Sequence, residues 1–183
     1  MIRLNWKFNE AHVWLDDLPD WQYEATKVAE RRQEAQNMKT SARRYAALEL
    51  FLPIGGRIHY GALGAEFVPE QQEQLVIQVL ISTSEGEPVS ASLAEKVDVV
   101  RAGLPQEFAQ AILENAMMVD ENQLLGTGTL RFCRAVHGRV GSSPWIFGVL
   151  TRVIVKLLIL DRQSSSEERL LELIRSEHKY DRI

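Results

Sequence analysis

Apolar residues crowd most densely between Leu130 and Leu160. Leu130 to Val136 predicts a strand, His137-Gly138-Arg139-Val140-Gly141-Ser142-Ser143 a glycine-bearing loop, and Pro144 to Leu160 a helix. Ser142 or Ser143 can cap that helix with a side-chain oxygen, and Pro144 suits its first turn, where a missing N–H costs nothing. Beyond the cap, Ile146, Phe147, Val149, Leu150, Val153, Ile154, Val155, Leu157 and Leu158 leave little room for a polar face. A helix apolar all round is a buried one. Arg152 and Lys156 argue against a membrane span, because each would cost about 2.5 to 3.5 kcal/mol near a bilayer centre. The helix is expected to form the core against which a sheet packs.

The remaining pattern is weaker but readable. Ile2, Leu4, Trp6 and Phe8 alternate with Arg3, Asn5 and Lys7, predicting a short edge strand over 1–8. After a turn around Asp16-Asp17-Leu18-Pro19-Asp20, the charged stretch from Trp21 to Lys39 predicts a polar, partly buried helix. Ala46 to Pro53 and Arg57 to Val68 read as strands around Gly55-Gly56, a bend that suits positive φ. Leu75 to Ser82 is the clearest strand, and the short polar link before it predicts a hairpin with 57–68. Ser90 to Val100 fits either a short helix or an edge strand. Phe108, Ile112, Leu113 and Ala116 recur at helical spacing after Pro105, predicting an amphipathic helix to about Met118. Ser164 to Ser166 followed by Glu167 and Glu168 signals the cap of a last helix to about His178. The expected class is α+β: a mostly antiparallel four-stranded sheet with two helices on one face. Residues 1–45 would add a strand-helix extension packed on a 46–183 domain, which ends in the C-terminal helix.

Composition adds limits rather than an activity. At 183 residues, 45% apolar and 25% charged, the chain suits one globular core. The net charge of -4 is unevenly spread: residues 61–130 hold 2 basic and 11 acidic side chains, residues 131–162 hold 6 basic and 1 acidic. The basic section fits either an anionic partner or an ordinary solvated face. Cys133 is the only cysteine, so no internal disulfide forms. With no charged-then-apolar leader at the N-terminus, the expected compartment is the cytoplasm. His12, His59, His137 and His178 share no ligand spacing, and no metal or other cofactor is expected. No Gly-x-x-x-x-Gly-Lys-Ser/Thr loop occurs. Ser142 and Ser143 have His137 nearby but no third triad member, so capping explains them more simply than catalysis. The chain reads as a non-enzyme.

Two stretches resemble domain IV of elongation factor G, the translational GTPase, whose fold includes a βαβ element of the kind found in ribosomal protein S5. Gly55, Gly56, Arg57, Tyr60, Gly61, Phe67 and Pro69 match a Gly-Gly-Arg-x-x-Tyr-Gly pattern followed by an aromatic, one residue and a proline. Pro105, Glu107 and Phe108 correspond to a Pro-x-Glu-Tyr helix start. Val136, His137, Val140, Ser142, Ser143, Ile146 and Phe147 are similar in type and order to a strand ending in Tyr-His, a Val-Asp-Ser-Ser segment and a helix beginning Ala-Phe. The match spans roughly residues 50–160 and has no GTPase half. It carries one extra residue after His137, and Gly141 stands where the family has aspartate. The resemblance implies a tip that contacts the ribosome or structured RNA. Its candidate residues are Gly55, Gly56, Arg57, His59, Tyr60, His137, Arg139, Ser142 and Ser143. The competing expectation is a module that binds a protein partner or a second copy of itself through the acidic middle section and Trp6, Trp14 and Trp21, which also fit a core role.

Overall fold

A computed structural model of the chain describes residues 1–35, 42–82, 86–120 and 125–178. Among these, eight strands form: β1 (Ile2–Trp6), β2 (Asn9–Leu15), β3 (Lys27–Glu34), β4 (Arg44–Ile54), β5 (Arg57–Pro69), β6 (Gln74–Ile81), β7 (Val100–Ala102) and β8 (Gly128–Gly138). The helices are α1 (Gln106–Met117), α2 (Pro144–Ile159) and α3 (Glu167–Glu177). The strands share one mixed sheet in the order β1-β2-β4-β5-β8-β6-β3, and β7 pairs with the last residues of β8. Only the β6–β8 pairing is parallel, closed by the crossover through α1. The α+β class holds, with eight strands rather than four.

Three local expectations are corrected. Residues 27–34 form a strand, not a helix, pairing antiparallel with β6 from Lys27↔Ile81 to Glu34↔Gln74; residues 36–39 of the expected helix lie outside the described residues. Polarity misled here because β3 is a sheet edge, and edges are commonly guarded by charge. The N-terminal section therefore extends the sheet at both sides instead of forming a strand-helix appendage. Second, β5 and β6 are not a hairpin: β8 lies between them. The true hairpin is β4–β5, in register from Arg44↔Phe67 to Ile54↔Arg57. Third, 90–99 is neither helix nor strand. The segment there is irregular, and regular pairing with β8 begins at Val100.

Period-2 alternation decides which side of the sheet is the core. Ala46, Leu48, Leu50 and Leu52 of β4, Leu63, Ala65 and Phe67 of β5, and Leu75, Ile77, Val79 and Ile81 of β6 point to one face and are buried under α1 and α2. Each large side chain withdrawn in this way stabilises the fold by about 1.5 to 3 kcal/mol before entropy is subtracted. The two charges of α2 are absorbed by α3. Arg152 Nε and Lys156 Nζ donate to the Glu177 carboxylate at 2.7 and 2.6 Å, and Arg152 also bonds Asn115 of α1. Burial raises the Glu177 pKa, but those two cations outweigh it and hold the carboxyl below its ordinary value. Among the described residues no helix is long and apolar enough to cross a membrane.

The opposite face carries a second, smaller cluster. Trp21, Ala47, Tyr60, Ala62, Ala94, Val100 and Val136 are buried there, covered by the loop around Leu18–Trp21 and the segment 89–94. Trp14 and Trp21 pack edge to face at 4.9 Å within it. Trp6 stacks on His178 at 5.8 Å, next to α3. All three N-terminal tryptophans thus make contacts inside the fold. Further along the same face, Glu66, Arg131, Gln78 and Glu30 form a polar ladder across β5, β8, β6 and β3.

Candidate functional site

The turn between β4 and β5 consists of Gly55 and Gly56, with φ of 57° and 76°. A two-residue hairpin loop with both residues left-handed continues the right-handed twist of its strands, and glycine enters that region without steric cost. The turn leaves Arg57 exposed. Two residues on, His59 meets Trp145 of α2 edge to face at 5.0 Å. Burial, aided by the positive charge of Arg57, pushes the His59 pKa below its ordinary value.

Tyr60 ties this turn to the end of β8. Register brings Ala62 opposite Val136, so Tyr60 comes level with Gly138. Tyr60 N–H donates to the Gly141 carbonyl at 2.9 Å. Ser142 Oγ accepts from Gly138 N–H and donates to the Tyr60 carbonyl, both at 2.8 Å. The Tyr60 ring turns to the opposite face, where its hydroxyl donates to Glu49 Oε1 at 2.9 Å. Glu49 is 2% exposed. It also accepts from Leu93 N–H and from His12 Nδ1, each at 2.9 Å, satisfying a buried carboxylate that would otherwise be costly. Burial together with the Glu49 charge drives the Tyr60 hydroxyl pKa well above the usual phenol range.

The loop after β8 is held by an internal anion. Asp98 Oδ2 accepts from Gly141 N–H at 2.7 Å, and both its oxygens accept from Val140 N–H at 3.1 Å. Asp98 Oδ1 also accepts from Val99 N–H at 2.7 Å. A carboxylate cradled by successive backbone N–H groups ahead of a helix fills the kind of nest that binds external anions elsewhere. Ser143 caps α2 by accepting from Ile146 N–H, and its carbonyl takes Phe147 N–H. The Ile146 and Phe147 N–H groups at the helix start are thus engaged within the chain.

His137 points to the other side of β8. It pairs with Arg101 of β7, and its Nδ1 lies 3.0 Å from the Gly103 carbonyl. A carbonyl only accepts, so Nδ1 carries the hydrogen in the neutral ring, and Nε2 is the acceptor. Phe108 of α1 tilts against the ring at 6.2 Å. Together Val99, Arg101, His137 and Arg139 line a notch of about 90 Å³ at the end of the sheet. Arg139 is exposed, as are Val97, Val99 and Val140 around it, the last at 82%.

The expected site residues therefore separate by role. Gly55, Gly56, Arg57, His59, Tyr60, His137, Arg139, Ser142 and Ser143 all lie at one end of the sheet. Arg57 and Arg139 face solvent, and His137 lines the notch. Tyr60, Ser142 and Ser143 hold the two loops together, while His59 packs on α2. Sequence reasoning missed Asp98, Arg101 and Glu49. Arg101 lies in a strand of three residues, too short to show a period, and Asp98 in the irregular segment just before it, while Glu49 sits in a strand that reads as uniformly apolar. Among the described residues no three His, Cys, Asp or Glu side chains converge to hold a metal ion. No protein-family model matches the chain, and no curated protein or solved structure is significantly similar to it.

Proposed function

We propose that the chain is a non-catalytic binding module that contacts the ribosome or structured RNA through the end of the sheet bearing Arg57, His137 and Arg139. One observation carries the reading: the Gly55-Gly56 turn and the 138–143 loop are bonded to each other through Tyr60, with an arginine exposed on each. Guanidinium groups on rigid, glycine-narrowed loops suit phosphate, because they form paired hydrogen bonds and the slim backbone allows close approach. The likeness to domain IV of elongation factor G points the same way, since the hairpin turn and the strand-loop-helix are the parts that carry it.

Co-sedimentation with ribosomes tests this. The unaltered protein is expected to pellet with ribosomes at low salt and to be released as salt rises, with a log–log slope of about -0.7 to -0.9 per phosphate contacted. Replacing Arg57, His137 and Arg139 by alanine should lower the association at least tenfold. No association of the unaltered protein at low salt overturns the proposal. The second reading, a protein-binding module, is favoured by Val97, Val99 and Val140, which expose apolar surface at the same end. Crosslinking that captures protein and no RNA, with loss on Val140→Asp, would select it.

A further inference from the structure

Resting on the reading above, we propose that the notch between β7 and β8 is a phosphate subsite, taking one phosphate group of the ligand between Arg101 and Arg139, with His137 as its wall. Its size sets the class of ligand. At about 90 Å³ it has room for about three water molecules, enough for a phosphate and far below the 300 Å³ or more of pockets that enclose a whole small molecule. Its lining sets the sign: Arg101, Arg139 and His137 line it with Val99, and no acidic side chain does so among the described residues. Asp98, the carboxylate on the adjoining segment, has both oxygens bonded to backbone N–H groups of Val99, Val140 and Gly141. The carboxylate thus shapes the loop that carries Arg139.

Two of the lining side chains are held in place before any ligand arrives. Arg101 is fixed by pairing with His137 and by a 3.0 Å bond from Nη1 to the Gly86 carbonyl. His137 is oriented by Gly103, and the Arg139 backbone is held where its N–H donates to the Val99 carbonyl at 3.0 Å, its side chain reaching solvent. With Arg101 and His137 already fixed, binding has to order only the Arg139 side chain. The Arg101 and Arg139 guanidinium groups are the donors, able to meet a tetrahedral anion from different directions, while the His137 ring, held by Gly103, forms the wall between them.

The test is an NMR titration of the intact chain with inorganic phosphate, and separately with two RNA oligonucleotides of one sequence, with and without a 5′-phosphate. Saturable shifts are expected at His137, Arg101 and Arg139, with at least tenfold weaker binding in Arg139→Ala and unchanged binding in Arg169→Ala on α3. Equal binding of the two oligonucleotides would identify the subsite as a reader of backbone phosphate; tighter binding of the phosphorylated one would identify it as a reader of chain ends. Either result supports the subsite. Absence of saturable shifts, or shifts that Arg139→Ala leaves intact, overturns it. Ribosome association without phosphate binding would remove the notch and leave the proposed function standing; phosphate binding without ribosome association would do the reverse.

Discussion

Two glycine-bearing bends meet at the same end of the sheet, and they need glycine for opposite reasons. At Gly55 and Gly56 an added Cβ would meet nothing within 4 Å, yet both residues have positive φ. The cost of any other residue there is torsional. Gly138 has no positive φ, but a Cβ on it would run into the Asp98 carboxylate, with Asp98 Cγ at 3.0 Å. At Gly141 it would crowd Tyr60 Cβ at 3.1 Å. The cost there is steric. One bend is open and presents Arg57; the other is packed around an internal anion, and Asp98 together with Ser142 and Tyr60 shapes the loop that presents Arg139. Glycine in a loop does not by itself mark a flexible or ligand-facing segment.

Substitutions can break this contrast in graded steps. Gly138→Ala must expel Asp98 from its nest and is expected to cost about 3 kcal/mol, read by denaturant unfolding. Asp98→Ala leaves the Val140 and Gly141 N–H groups without their acceptor and should cost about 2 kcal/mol. The pair should be strongly non-additive, since each change destroys the same contact. If the two losses simply add, the internal anion does not explain Gly138.

Gly56→Ala should cost only about 1 kcal/mol, the penalty of a left-handed non-glycine residue, and should leave the 138–143 loop unaffected. The smallest effect is expected at His59. Burial lowers its pKa from 6.5, so the unfolded chain takes up the proton first. The contribution to stability is full above pH 6.5 and is lost as pH falls below that value, levelling off below the folded pKa. Stability followed against pH should lose this component in His59→Gln.

How far the sequence discloses the molecule differs between its two halves. The β8-loop-α2 unit is legible almost to the residue, because a cap, a proline at the first turn and a long apolar run all agree. Strand β3 is not: its charged residues fit helical spacing, and only pairing with β6 makes them extended. Strand β2 carries the alternation Ala11, Val13, Leu15 but lies beside a turn-rich segment that obscures it. The insertion of β8 between β5 and β6 is a long-range pairing that no local pattern contains. The site divides in the same way. Arg57, His137 and Arg139 stand out because glycines flank them, whereas Asp98 acts on residues more than 40 positions away. Arg101 gains its meaning only when β7 meets the end of β8.

The central claim is that both bends act together as one contact surface, and it is tested most directly by amide line broadening as ribosomes are added to the labelled chain at low salt. The account predicts that Gly55, Gly56, Arg57, Arg139 and Val140 broaden first and together, while α3 and β3 remain sharp, and that Arg57→Ala with Arg139→Ala abolishes the effect. Broadening confined to α3 or β3, or none at any ribosome concentration, would contradict it.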